Sequence, residues 1–374
     1  MIKEYDIIVF GATGFTGKLI CEYLSKHEEV KNIKWAIAGR NKYKLEQVVE
    51  EFNLENIEVL EVDSFDNKAI DSMCSKTKLV LTTVGPYNLY GEYLVKSCIS
   101  HDTHYVDLTG EPEFVNKIRT KYSDLASQSK SIIINSCGLE SIIPDLGVYQ
   151  TVKKMKSDFK DVTYFMKTKG EISGGTWASF VNSISNGKEV TKLSNKPQVK
   201  KKVKKVYFSK ECNAWAIIFP VIDKQVVYRT SKCFKEYGSE FSFNEYMLMK
   251  SFWQIIVLIK GVFLVAIISK IGFVKKWLLS LKPSGSGPSK EKRDSHWFEA
   301  IFIGKNKDEK IRYKISGGDP GYGETSKFIS EIALCILLQE KELVKNKGIL
   351  TPVECTGELL IKRLEKAGIK FEYF

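Results

Sequence analysis

The chain has 374 residues, 43% of them hydrophobic and 27% charged, a globular balance with room for two domains that each bury a core. Its formal net charge of +12 implies attraction to an anionic partner, such as a phosphorylated ligand, a lipid surface or nucleic acid. Eight scattered cysteines without a C-x-x-C pair exclude a zinc-type spacing and the disulfide framework of small secreted domains.

The opening "MIKEYDIIVF" carries charges within its first six residues and lacks a long apolar run, so an intracellular protein without a signal peptide is expected. Residues 6–10 (DIIVF) read as a strand buried on both faces, and 16–27 follow with helical spacing. The alternation continues through strand 33–38, helix 42–52, strand 57–63, a helix near 67–75 and strand 78–85. Helix 91–101, strand 103–110, helix 111–128 and strand 131–138 complete it. Strands alternating with helices of about ten residues predict βαβ units, a parallel sheet and right-handed crossovers.

Between the first strand and first helix stands Gly11-x-x-Gly14-x-x-Gly17, in "FGATGFTG". In this context it is a variant dinucleotide fingerprint. Gly11 permits the turn, Gly14 lets backbone approach a pyrophosphate, and Gly17 lets helix pack on strand. Thr13 and Thr16 add hydroxyls, Phe15 lies between them, and the helix N-terminus faces the phosphates. A plain tight turn is the competing reading. At the end of the second strand, "AGRN" offers Arg40 and Asn41 where an NAD site would hold a carboxylate. Arginine suits a 2′-phosphate, which favours NADP(H) over NAD(H). Asp63 ends the third strand, where it could reach an adenine edge or, like Ser64, cap the next helix. Gly85, Pro86 and Tyr87, in "VGPYNLYG", end the fourth strand, where ligands collect in open α/β sheets.

Beyond Gly147 the alternation stops. Runs at 162–167, 206–208, 216–222 and 225–230 predict a mainly antiparallel sheet. "KPQVKKKVKK" (196–205) holds six lysines, the mark of a solvated edge or of contact with anionic headgroups. Nucleic acid is not expected, because no recognition fold or base-stacking pattern accompanies the run. The apolar segment 251–281 is interrupted by Lys260 and Lys270, too often for an ordinary spanning helix, and is flanked by Trp253, Trp277 and lysines. It reads either as attachment to a membrane or lipid droplet, or as helices buried in a core or homodimer interface. "KPSGSGPSKEKRDSHW" (282–297) reads as an exposed loop or lid. Strands at 298–304 and 310–316, a glycine-rich loop, a helix over 325–341 and a last helix over 351–368 close the chain.

Proton donors near the predicted cleft are Tyr87, Glu111, Glu140 and Asp145, none singled out by its spacing, with Tyr87 and Glu111 taken as the catalytic candidates. Ser136 with Tyr149-x-x-x-Lys153 imitates the catalytic spacing of short-chain dehydrogenases. The same Tyr-x-x-x-Lys recurs at Tyr228 and Tyr246, however, and Ser136 falls on the sixth strand. His101 and His104, a lone pair in a loop, do not make a metal site, and none is expected.

Taken in order, "FGATGFTG", "AGRN", "VGPYNLYGE", "YVDLTGE", "SCGLESIIPDLG", "SGGDPGYGET" and "GILTPVECTGELLIKRLEKAGIKFE" resemble the saccharopine dehydrogenase-like oxidoreductase family. The resemblance implies a Rossmann doubly wound domain over 1–146, completed by 318–374, with an α+β domain inserted over 147–317 on the mainly antiparallel sheet. It also implies NAD(P) use and a loop near 317–325 that returns the chain to the cleft. That family includes membrane- and lipid-droplet-associated proteins and enoyl reductases acting on lipids, so a saccharopine activity does not follow. The expected function is NADP(H)-dependent reduction of a C=C or C=N group in a hydrophobic or lipid-linked substrate. The alternative is an NADPH-binding membrane or lipid-droplet protein whose catalysis has decayed. Peripheral attachment from the cytoplasm is expected, and a mitochondrial location stays open.

Overall fold

The computed structural model describes residues 3–171, 177, 181, 203–218, 223–282 and 286–374. The chain divides into two units, Met1–Ile142 with Tyr322–Ala367 and Ile143–Gly321 with Gly368–Phe374.

In the first unit, β1 (Tyr5–Phe10), β2 (Trp35–Gly39), β3 (Glu58–Glu61), β4 (Thr77–Thr82), β5 (His104–Asp107) and β6 (Ile132–Ile134) fall on the expected segments. Between them run α1 (Phe15–Lys26), α2 (Lys42–Glu51), α3 (Asn67–Lys76), α4 (Tyr87–Ser100) and α5 (Pro112–Gln128). The central strands are continuous apolar runs because helices cover both faces: Ile7, Ile8, Val9, Leu79, Val80 and Leu81 are wholly buried. Helix α4 begins four residues before the expected start at Gly91. The carboxylate of Glu111, far along the chain, accepts the amides of Tyr87 (2.8 Å) and Asn88 (3.0 Å) and so caps that first turn. Asp66 caps α3, where Asp63 or Ser64 was expected.

Helix α6 (Leu139–Lys154) straddles the division between the units. The second unit continues with β7 (Phe159–Lys169), β8 (Val206–Ser209), β9 (Ala214–Ile218), α7 (Asp223–Thr230) and β10 (Glu240–Met249). Helices α8 (Phe252–Ile268), α9 (Gly272–Ser280) and α10 (Lys290–Asp294) lead to the hairpin of β11 (Trp297–Lys305) and β12 (Lys310–Gly317). The run 225–230, expected as a strand for its valines and tyrosine, is helical. Val226, Val227 and Tyr228 are buried there, and the Tyr228 hydroxyl accepts the Phe243 amide of β10 at 3.1 Å, so packing overrides β propensity. Residues 219–222 of the expected strand, 196–202 of the lysine run and 283–285 of the expected loop lie outside the described residues.

The chain returns through α11 (Gly323–Leu338), β13 (Gly348–Leu350), α12 (Pro352–Thr356) and α13 (Leu359–Lys366), then ends in β14 (Lys370–Tyr373). Helix α11 is buried from Phe328 to Ile336 and packs on α1. The buried Glu331 ties three helices together by bonding Tyr23 and His27 of the α1 end and Arg363 of α13. The expected last helix is two helices, α12 and α13.

The first sheet is wholly parallel in the order β3-β2-β1-β4-β5-β6-β13, the doubly wound Rossmann order extended by one strand. The second sheet runs β14-β12-β11-β7-β10-β9-β8 and is antiparallel except between β7 and β10, the mainly antiparallel sheet expected. The C-terminal strand β14 belongs to this second sheet, so the return to the first unit ends at Ala367 and not at Phe374.

The apolar segment 251–281 is not core. Ser251 and Gln254 form a capping box that starts α8, yet Ile255 is the only buried residue of that helix and Leu278 the only one of α9. Trp253 is 74% exposed and Phe273 76%. No helix among the described residues is long and apolar enough to cross a membrane.

Candidate functional site

In a doubly wound sheet, ligands lie where the strand order reverses, outside the carboxyl ends of β1 and β4. Gly11 stands at that point. Its amide donates to Ala38 O of β2 (2.9 Å), and its carbonyl accepts the Thr83 hydroxyl beyond β4 (3.0 Å). Its φ of +94° and a space closed by Thr83 Oγ1 at 2.7 Å from a would-be Cβ admit only glycine. Thr83, which clamps the loop from the next strand, has no sequence signature. Only the sheet order brings it there.

Gly14 is the N-cap of α1, in extended backbone, and supplies no capping side chain; the first turn carries no acid. The hydroxyls of Thr13 and Thr16 have no hydrogen-bond partner among the described residues. Phe15 packs edge-on against Tyr322, ring centroids 4.9 Å apart, so the glycine-rich return loop does reach the fingerprint. A helix start with no side-chain cap, no acidic residue in its first turn and two hydroxyls without a hydrogen-bond partner among the described residues fits a pyrophosphate.

Arg40, just past β2, is exposed and makes no ion pair among the described residues. Asn41 serves the fold, since its side chain accepts Lys44 N–H at 2.9 Å and caps α2. Asp63 is exposed, and one of its oxygens accepts the Phe65 amide at 2.9 Å. Phe65 is 74% exposed and meets Tyr90 edge-on, an aromatic pair that sequence reading missed. Gly85 is exposed, and Pro86 is the N-cap of α4.

The two expected proton donors both make contacts within the fold. The Tyr87 hydroxyl is buried, donates to Thr82 O (3.3 Å) and accepts Leu108 N–H (3.2 Å); burial, with Asp107 nearby, pushes its phenol well above the ordinary value. Both oxygens of Glu111 are held by the start of α4. Tyr87 therefore joins β4 to β5, and Glu111 joins α4 to the chain after β5. Tyr87→Phe should leave the Leu108 amide unsatisfied and cost about 1–3 kcal/mol. A thermal melt should fall by several degrees while NADPH affinity stays unchanged.

Behind them lies a buried knot. Asp107 accepts from Asn135 Nδ2 (2.7 Å), Tyr105 OH (2.8 Å), Ser136 N (2.8 Å) and Thr109 N (2.9 Å), while burial pushes its carboxyl up to about 6. This knot fixes the carboxyl ends of β5 and β6 and holds Ser136 at φ +63°. The Ser136 hydroxyl donates to Thr109 O, and the Lys153 ammonium lies over the Tyr149 ring at 5.5 Å, so this chance spacing serves packing. Asp145 accepts the Thr230 hydroxyl at 2.6 Å, Glu140 is exposed on the first turn of α6, and His104 Nδ1 accepts the Ile132 amide.

Residues 7–134 match the model of the saccharopine dehydrogenase NADP-binding domain. A saccharopine dehydrogenase-like oxidoreductase of Mus musculus is 31% identical, with 99% of this chain and 97% of the relative aligned. A lipid droplet localized protein of Caenorhabditis elegans is 27% identical over 99% of this chain and 98% of its own. A candidate trans-acting enoyl reductase of Mycobacterium tuberculosis is also 27% identical, over 99% and 97%. Among solved structures, apo saccharopine dehydrogenase (L-Glu forming) of Saccharomyces cerevisiae superposes with a TM-score of 0.59 at 12% identity, covering 99% of this chain and 100% of its own, a likeness of fold.

Proposed function

This chain belongs to the saccharopine dehydrogenase-like oxidoreductase family, and from that premise we propose that it uses NADPH to reduce a C=C or C=N group in a hydrophobic, lipid-linked substrate. The observation that carries the reading is the start of α1, without a side-chain cap or an acidic first turn, behind Gly11, Gly14 and Gly17, with Arg40 making no ion pair among the described residues at the end of the neighbouring strand. When bound, the reduced nicotinamide supplies a hydride; the chain must hold the dinucleotide, exclude water and deliver a proton. Gly14, Phe15, Thr16 and Gly17 present backbone to the pyrophosphate, with the Thr13 and Thr16 hydroxyls beside them. Arg40 takes the 2′-phosphate, Asn41 and Asp63 border the adenosine side, and Gly85 and Pro86 border the nicotinamide side. The enoyl reductase among the relatives supports a C=C substrate.

Arg40→Ser tests the cofactor preference. Loss of a charge-assisted contact to phosphate should weaken NADPH by about 10- to 100-fold and leave NADH unchanged, measured by titration calorimetry. Equal weakening of both cofactors, or of neither, would remove Arg40 from the 2′-phosphate site.

A lipid-borne substrate is supported by α8 and α9. Their exposed side chains include Trp253, Val257, Phe263, Leu264, Ile267, Phe273 and Trp277. From Tyr246 to Lys290 the sequence has no acidic residue and seven lysines. Apolar side chains ringed by lysine suit the headgroup layer of a phospholipid surface, membrane or lipid droplet. A second reading, NADPH binding without catalysis, is favoured by the structural contacts that occupy Tyr87 and Glu111.

A further inference from the structure

The first unit leaves its most exposed large apolar side chains at one edge. Among its described residues these are Phe65, Tyr43 and Leu89, which follow β3, β2 and β4 by only a few residues. All three lie at the carboxyl edge of the parallel sheet, the edge that receives ligands in a doubly wound fold. Single exposed apolar residues are ordinary on a protein surface, whereas a group of them on a ligand-binding edge asks for an occupant.

Phe65 has the most closely fixed setting of the three. Val62 N–H donates to Gly39 O at 2.9 Å, which ties the end of β3 to the end of β2, one residue before Arg40. The chain then turns: Asp66 N–H donates to Asp63 O (3.0 Å) and Phe65 N–H to the Asp63 carboxylate (2.9 Å). Asp66 in turn caps α3 by accepting the amides of Lys68 and Ala69. The backbone of Phe65 is thus held from both sides while its ring is 74% exposed. That ring meets Tyr90 at a centroid distance of 5.1 Å and an interplanar angle of 76°. Tyr90 belongs to the first turns of α4, whose start Glu111 holds. An edge-on contact occupies at most one face of Phe65, and the exposure leaves the other open.

We propose that Phe65, steadied by Tyr90, is the platform on which the adenine of the dinucleotide stacks. The inference rests on the reading above, in which the start of α1 takes the pyrophosphate and Arg40 the 2′-phosphate. In NADPH the base and the 2′-phosphate hang from adjacent ribose carbons, so an adenine whose phosphate meets Arg40 lies against the neighbouring chain. That neighbour is the turn from Asp63 to Asp66, joined to the end of β2 through Val62 and Gly39. A flat apolar ring on a fixed backbone suits a purine. Stacking removes both faces from water without a hydrogen-bond match, and little freedom is lost in ordering a ring already held.

Calorimetric titration of the full chain with NADPH and with adenosine 2′,5′-bisphosphate, which lacks the nicotinamide, tests this. Phe65→Ala should weaken both ligands alike by about 5- to 150-fold, the range of losing one base–aromatic stack. Phe65→Tyr should keep both affinities, and an exposed side chain makes neither variant harder to fold. Phe65→Trp adds a reporter: the bisphosphate should quench the emission of the added indole, read as the difference from the unaltered protein under the same addition. Tyr90→Ala should also weaken both ligands, and Tyr90→Phe, which keeps the ring, should restore them; equal loss in the two would overturn the supporting role of Tyr90. An unchanged bisphosphate affinity in Phe65→Ala, or an unquenched indole in Phe65→Trp, would overturn the platform and leave the dinucleotide reading standing. An unaltered chain that binds neither ligand would overturn both.

Discussion

Gly14→Val is expected to fold normally and to lose NADPH, whereas Gly17→Val is expected to be destabilised, with a clearly lowered Tm. The two positions lie in one fingerprint but differ in what surrounds them. Gly14 has ordinary extended backbone, φ −72° and ψ 161°, and a Cβ built there meets only Gly11 O at 3.3 Å. A valine is therefore tolerated by the protein and intrudes on the space before the α1 amides, where the proposed site places the pyrophosphate. Losing two charge-assisted bonds of about 1.5–3 kcal/mol each weakens binding by a hundredfold or more. At Gly17 a Cβ would lie 2.2 Å from Gly11 O and 2.9 Å from Ala12 Cα, both backbone atoms. Helix α1 would have to leave the strand it packs on, at a cost of about 3 kcal/mol or more. In a unit of this size that is a fall of roughly 6–12 °C in Tm. Circular dichroism separates the outcomes and calorimetry with NADPH reads the binding. A Gly14→Val chain that binds NADPH like the unaltered protein would show that the dinucleotide lies elsewhere.

The same contrast explains what the sequence could tell. Strands β1 to β6 are legible because burial on both faces writes a continuous apolar run, and Gly11 and Gly17 are legible because a left-handed φ at the first and close backbone at the second admit only glycine. Distant contacts write no such local pattern. The early start of α4 depends on Glu111, 24 residues from Tyr87. Residues 225–230 are helical because Tyr228 must reach β10, though their composition favours a strand. Phe65 reads as part of a charged turn, and Tyr90 as part of the run after the fourth strand. Only the packing of α3 on α4 joins them. The contacts of Tyr87 and Glu111 are illegible for a related reason: a tyrosine and a glutamate at strand ends suit ligand chemistry and helix capping equally, and only distant partners show which contacts they make.

The apolar helices lead to the second large effect, replacement of Trp253, Phe263 and Phe273 by glutamate. These side chains are 74%, 66% and 76% exposed, so the isolated fold loses little by their change. A phospholipid surface would lose much more. Each large apolar side chain taken from water contributes about 1.5–3 kcal/mol, so the triple variant forfeits roughly 4 kcal/mol even with partial insertion. That corresponds to a fall of about a thousandfold in partitioning. Three added carboxylates also oppose the lysines at 250, 260, 270, 275, 276 and 282, each of which contributes about 1 kcal/mol beside anionic lipid at low salt. Flotation with phosphatidylcholine vesicles containing phosphatidylserine should retain the unaltered chain and release the triple variant. Raising the salt should weaken retention without abolishing it, because the apolar part is not screened. Light scattering distinguishes the other way of covering these helices. A dimer in detergent-free solution that the triple variant converts to monomer, with no flotation of either protein, would mean that α8 and α9 meet a second copy of the chain and not lipid.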